Sequence, residues 1–170
     1  MRLFFIYGIS LLLISCAGVP DNINPVTNFE LERYMGKWYE IVRLDHRFEK
    51  ELEQVTATYS IQEDGTVKVV NRGFSRENKE WKEATGKAKF AEDPNVGFLK
   101  VSFFWPFYGS YVIFDLDKQG YQYSFVTGGE DYLWLLSRTP EVSEAVQNEF
   151  LSKAQALGFK TENLIFVRQE

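Results

Sequence analysis

From Gly36 onward, apolar and polar residues alternate in short runs instead of recurring every third or fourth position, and a period of two belongs to strands. Eight such runs can be drawn, at 37–44, 55–61, 67–74, 81–90, 98–103, 110–116, 121–127 and 132–137. Turn-forming residues separate them, among them Glu63-Asp64-Gly65, Asp93-Pro94-Asn95, Asp117 to Gly120 and Gly128-Gly129. The alternation is cleanest in 81–90, where Ala84, Gly86, Ala88 and Phe90 share one face and Glu83, Thr85, Lys87 and Lys89 the other. Connections this short join antiparallel neighbours, because parallel pairing needs a crossover of about a dozen residues. The pattern predicts an all-β fold: an eight-stranded antiparallel up-and-down β-barrel, whose closure removes the edges an open sheet would have to protect. A barrel of that strand number encloses a space about wide enough for one small ligand. The small inward residues of 81–90 leave room either for a cavity or for bulky neighbours from across the barrel, and the pattern does not choose between them.

Helical spacing appears convincingly once. Val142, Ala145, Val146, Phe150, Ala154 and Leu157 form an apolar stripe that Thr139-Pro140 opens and Gly158 closes, with Glu141 and Glu144 at the positive end. This predicts a C-terminal α-helix packed outside the barrel, followed by a last short strand or extended segment over 163–167. Phe29 to Tyr34 reads as a single helical turn covering something apolar.

The first residues follow neither pattern. Arg2 precedes an apolar run from Leu3 to Ile14, too short for a permanent membrane span, which ends in Leu13-Ile14-Ser15-Cys16. This stretch resembles a bacterial lipoprotein signal peptide, with residues 1–15 removed and Cys16 carrying the lipid through its thiol. The next residue, Ala17, is not the Asp of the retention pattern, so the resemblance implies lipid anchoring at the periplasmic face of the outer membrane. Residues 16–27, rich in Pro, Gly and Asn, read as the lipidated cysteine and a tether, leaving 28–170 as the folded domain.

Composition narrows the chemistry. The 170 residues suit one domain, and 16% aromatics is high for a chain of this size. A net charge of -5 without any Lys/Arg run argues against a nucleic-acid partner. Cys16 is the only cysteine, which excludes an intrachain disulfide and a cysteine-based metal cluster. One histidine, His46, is the only side chain that titrates near neutrality by nature. Its neighbour Asp45 would point to the opposite face of a strand, a poor orienting partner for a catalytic triad, and local carboxylates such as Glu49 suit it better. No metal, cofactor or catalytic site is expected, and Gly128-Gly129 lies between strands, where it is a turn and not a phosphate loop.

Phe103-Phe104-Trp105-Pro106-Phe107-Tyr108-Gly109 is the most unusual stretch of the body. Read as a loop, its aromatics fold over the barrel end, line the mouth, meet the membrane interface, or meet a second subunit in a homodimer.

The body resembles the lipocalin family. Gly36-Lys37-Trp38 matches the Gly-x-Trp that opens the family's first strand, and Arg138 matches its arginine after the last. Of the intervening Thr-Asp-Tyr turn only Asp117 is present, but 45–49 and 101–109 look like the bacterial group. The resemblance implies that Gly36, Trp38, Asp117 and Arg138 build the barrel base, with the guanidinium over the indole, a contact worth on the order of 1 to 2 kcal/mol. It further implies a binding protein and not an enzyme, one that binds, stores or transports a fatty acid or lysophospholipid noncovalently. Arg43, Arg72 and Tyr111 are then expected to meet a head group near the open end, and Ala84, Gly86, Ala88, Phe90, Phe104 and Trp105 to line the pocket or its mouth. A ligand-free structural barrel and a lipid-modifying enzyme are the alternatives.

Overall fold

A computed structural model describes residues 22–46 and 51–170. The leader, Cys16, Ala17, the first part of the tether and Glu49 lie outside the described residues.

A short helix α1 (Leu31–Tyr34) leads into eight strands: β1 (Gly36–Leu44), β2 (Leu52–Ile61), β3 (Val67–Ser75), β4 (Glu80–Phe90), β5 (Phe98–Phe104), β6 (Phe107–Leu116), β7 (Tyr123–Gly129) and β8 (Tyr132–Ser137). Each pairs antiparallel with the next, and β1 pairs with both β8 and β2, which closes the barrel. Helix α2 (Glu144–Ala156) and a short β9 (Leu164–Phe166), laid against β1, complete the chain.

Strand parity sorts the apolar residues into two clusters. Trp38, Tyr59, Val67, Val69, Ala88, Leu99, Ile113, Val126 and Leu136 point inward and pack together with Phe29, Tyr34 and Tyr121. Ile41, Val42, Val112, Phe125, Leu133 and Leu135 point outward, where Phe150 and Ala154 of α2 cover them. The Phe125 and Phe150 rings meet edge to face at 5.1 Å. Lys153 bonds Asp115 of the wall and Glu149 of its own helix; partial burial works against its charge, but the two carboxylates win and hold its pKa above the usual lysine value.

Several boundaries differ from the sequence expectation. The helix starts at Glu144, after Ser143, whose hydroxyl accepts from Val146 N at 3.4 Å, and not at Thr139-Pro140. Tyr121 stands outside β7 because its backbone is left-handed (φ 53°). The aromatic stretch is a hairpin and not a loop: Phe104 pairs with Phe107 across Trp105 and Pro106, which a cis peptide bond joins.

The antiparallel order gives the barrel two distinct ends. Trp38 and the turns 62–66, 91–97 and 117–122 lie at one. Segment 45–51 and the turns 76–79, 105–106 and 130–131 lie at the other.

Candidate ligand site above the barrel base

The closed end is built around Trp38, which is fully buried and donates from Nε1 to Tyr34 O at 2.8 Å. Arg138 lies over its indole at 3.9 Å. The same guanidinium donates to Lys37 O (3.0 Å), Arg33 O (2.7 Å) and Tyr121 O (3.3 Å), so it ties α1, β1 and the β6–β7 turn to one point. Partial burial lowers its pKa from the ordinary value, the neighbouring tyrosines Tyr34 and Tyr59 opposing that effect. Gly36 has φ 92°, which favours glycine, and a Cβ there would sit 3.4 Å from Arg138 Nη1. The Asp117 carboxylate accepts from the backbone of Gln119, Gly120 and Gln122, fixing the turn that presents Tyr121. These four residues form a structural stopper.

A belt of hydroxyls covers the stopper. Tyr111 OH lies 2.8 Å from Tyr34 OH and 2.9 Å from Tyr59 OH, and Tyr34 donates to Ser124 Oγ at 3.1 Å. Burial pushes the Tyr34 pKa up to about 12, against the hydrogen bonds to Ser124 and Tyr111. Burial and the two neighbouring tyrosines drive Tyr111 well above its ordinary value. The Tyr34 and Tyr111 hydroxyls are therefore polar but uncharged at any physiological pH.

Beyond the belt, toward the open end, the inward positions change character. Ala57, Asn71 and Ala84 stand abreast on β2, β3 and β4, with Phe103 and Trp134 also facing inward. Ala84 is exposed although it shares a face with buried Gly86 and Ala88. Asn71 Oδ1 is buried with no hydrogen-bond partner among the described residues, an arrangement that costs about 1 to 3 kcal/mol unless a ligand or water satisfies it. Of the two outcomes left open for the small residues of β4, both occur: the Phe103 ring fills the space at Gly86, where a Cβ would stand 2.9 Å from it, while Ala84 remains uncovered. Ala88 and Phe90 belong to the packed base, Phe90 lying edge-on to Phe29 at 6.3 Å.

Of the three expected head-group contacts, two are corrected. Arg43 does stand on the inner side near the open end, beside Trp134, but its guanidinium is buried and bonds Glu40 Oε1 at 2.7 Å and Leu52 O at 3.2 Å. Arg72 faces outward, stacked on Trp81 at 3.9 Å. Tyr111 belongs to the hydroxyl belt at the floor. Phe104 and Trp105 do sit at the open end, but on the rim, where Phe104 is 72%, Trp105 84% and Phe107 78% exposed. His46 packs at the same end against Tyr132 (5.3 Å) and Trp134 (5.5 Å), and Asp45 is exposed. Among the described residues, no three His, Cys, Asp or Glu side chains converge as metal ligands would.

Sequence reasoning did not single out Tyr59, Ser124, Asn71 or Glu40, and it read Tyr34 only as part of an apolar covering turn. Tyr59 and Asn71 have the same parity as Ala57, so a correct β2–β3 register would have placed them inside.

A closed antiparallel barrel with one stoppered end, one open end and an outer helix is the architecture of lipocalins. Residues 29–169 match the family model for the lipocalin-like domain, and the chain belongs to that family. It is 52% identical to the outer membrane lipoprotein Blc of Vibrio cholerae, over the whole of both chains. To the protein of the same name from Escherichia coli K12 it is 45% identical, over 93% of this chain and 90% of that one. Insecticyanin from the tobacco hornworm superposes with a TM-score of 0.70 over 89% of this chain and 86% of its own; at 19% identity this likeness speaks to the fold alone.

Proposed function

We propose that this chain is a lipid-anchored binding protein that holds the acyl chain of a fatty acid or lysophospholipid noncovalently, storing or transporting it at the periplasmic face of the outer membrane. The observation that carries the reading is the change inside the barrel, from packed aromatic base to uncovered Ala84 and unpartnered Asn71 Oδ1. An alkyl tail resting on the hydroxyl belt would cover that apolar surface. Fourteen methylenes at about 0.8 kcal/mol each supply roughly 11 kcal/mol gross, from which ordering and association subtract several. The buried Asn71 carbonyl is an acceptor for a hydroxyl or amide of the ligand, and Glu40 and Arg43 neutralise each other on the inner side.

The anchor and the location rest on the leader that ends at Cys16 and on the name of the relatives, outer membrane lipoprotein. On this reading residues 1–15 are removed, 16–27 tether the domain, and 28–170 bind. The interior, on this reading, holds a ligand and does not transform it; burial raises the pKa values of Tyr34 and Tyr111, which makes these two hydroxyls poor proton-exchanging groups near neutrality.

Extraction of the protein under native conditions followed by lipid mass spectrometry, with displacement of an environment-sensitive fatty-acid probe, tests this function. Copurifying acyl lipid and saturable displacement are expected. Protein free of lipid that binds no probe would leave a filled structural barrel, and lipid recovered in altered form after incubation would indicate an enzyme.

A further inference from the structure

The three most exposed large hydrophobic side chains of the described residues, Phe104, Trp105 and Phe107, all belong to one tight hairpin at the open end. Their exposure is 72%, 84% and 78%, whereas Phe103, one residue earlier, turns inward over Gly86. The strand thus delivers an apolar inner wall directly into an apolar tip. Water is a poor environment for such a tip, and its aromatics suit the boundary between head groups and acyl chains. Behind it, Lys89 lies 4.8 Å over the Tyr108 ring and Lys100 is exposed on the outer face, cations suited to lipid phosphates.

Asn22 donates to Leu157 O, and Asn22 and Ile23 line one crevice with Asp45, His46 and Asp131, which belong to two segments of the open end. Cys16 stands six residues before Asn22, and six residues of chain reach at most about 20 Å. An anchor at Cys16 therefore keeps the open end, and not the stoppered one, close to the bilayer.

We propose that the Phe104–Phe107 hairpin inserts into the same membrane that holds the Cys16 lipid, so that the mouth of the barrel faces the lipid surface from which its ligand comes. This rests on the anchored reading above. A two-residue turn with its flanking phenylalanines is too small for a stable protein interface, which needs about 800 Å² from each partner, but is ample for an interfacial wedge. Docked this way, an acyl chain would pass between bilayer and barrel without crossing water.

The test uses the purified chain carrying Trp81→Phe and Trp134→Phe, which leaves Trp105 as the only exposed tryptophan above buried Trp38. It is reconstituted into phosphatidylethanolamine–phosphatidylglycerol vesicles with brominated acyl chains. Mass spectrometry reads the state of Cys16; if the thiol is bare, coupling this sole cysteine to a maleimide lipid restores the anchor. Failure of the anchored reading is thereby separated from failure of the hairpin. Bromine is expected to quench roughly half of the Trp105 emission, and Phe104→Ser/Phe107→Ser is expected to abolish the quenching while the melting temperature stays that of the parent. Unquenched Trp105 on vesicle-bound protein would overturn the proposal. So would an emission already blue-shifted without vesicles and dependent on protein concentration, which would give the tip to a second copy of the chain.

Discussion

The two ends of this barrel are made of similar residues put to opposite uses. At the base, Phe29, Tyr34, Trp38 and Tyr121 are buried against one another and tied by Arg138 to three backbone carbonyls. At the mouth, Phe104, Trp105 and Phe107 touch mostly water, and the inner wall beneath them carries small side chains and an unpartnered amide. Aromatic content by itself therefore says nothing about where a lipocalin is solid. The difference lies in what surrounds each ring: at the base every polar group among the rings has a partner, and at the mouth the partners have to come from elsewhere.

This contrast can be broken from the base first. Trp38→Ala removes a fully buried indole together with its stacking on Arg138, and a loss of about 4 kcal/mol in urea denaturation is expected. An effect below 1 kcal/mol would mean that the base is not a unit.

Alkaline pH attacks the layer above it. The Tyr34 pKa is raised to about 12 in the folded state from 10.0, and that of Tyr111 is raised as well, so the folded form holds its protons more tightly than the unfolded chain. The associated stability is complete below pH 10 and is lost as pH rises through the folded values. A decline of about 2 kcal/mol in unfolding free energy between pH 10 and 12 is expected, smaller in Tyr34→Phe.

Arg138→Ala leaves the indole in place but unties three carbonyls, and about 1.5 kcal/mol of stability should go while fatty-acid affinity stays. An equal loss of affinity with no change in melting temperature would move Arg138 from the stopper to the binding site. Arg138→Lys should recover little, because an ammonium cannot stack flat and reach three acceptors.

The strand number and the outer helix were legible in the sequence because each depends on local periodicity. What was not legible follows from irregularity. A bulge between Glu40 and Val42 in the β1–β8 pairing breaks strict alternation and puts Arg43 on the same inner side as Glu40, three residues away, where it pairs and is buried. Unbroken parity would put these two residues on opposite faces. Arg72 went astray for a different reason: its cation is spent on Trp81, a partner directly beside its own cross-strand neighbourhood on the outer face. Tyr121 was read as a strand residue because its composition is strand-like, whereas its left-handed backbone is held by the Asp117 turn. The hydroxyl belt needs α1 docked on β2, β6 and β7 in register at once, information that no single segment carries.

The central claim is that the space beside Ala84 receives a lipid tail. Ala84→Trp fills it from an exposed position without disturbing the base, so titration with an environment-sensitive fatty-acid probe isolates the upper interior. Affinity at least about tenfold weaker, at an unchanged melting temperature, is the expected result. Equal affinity in the variant and the parent protein would contradict the claim.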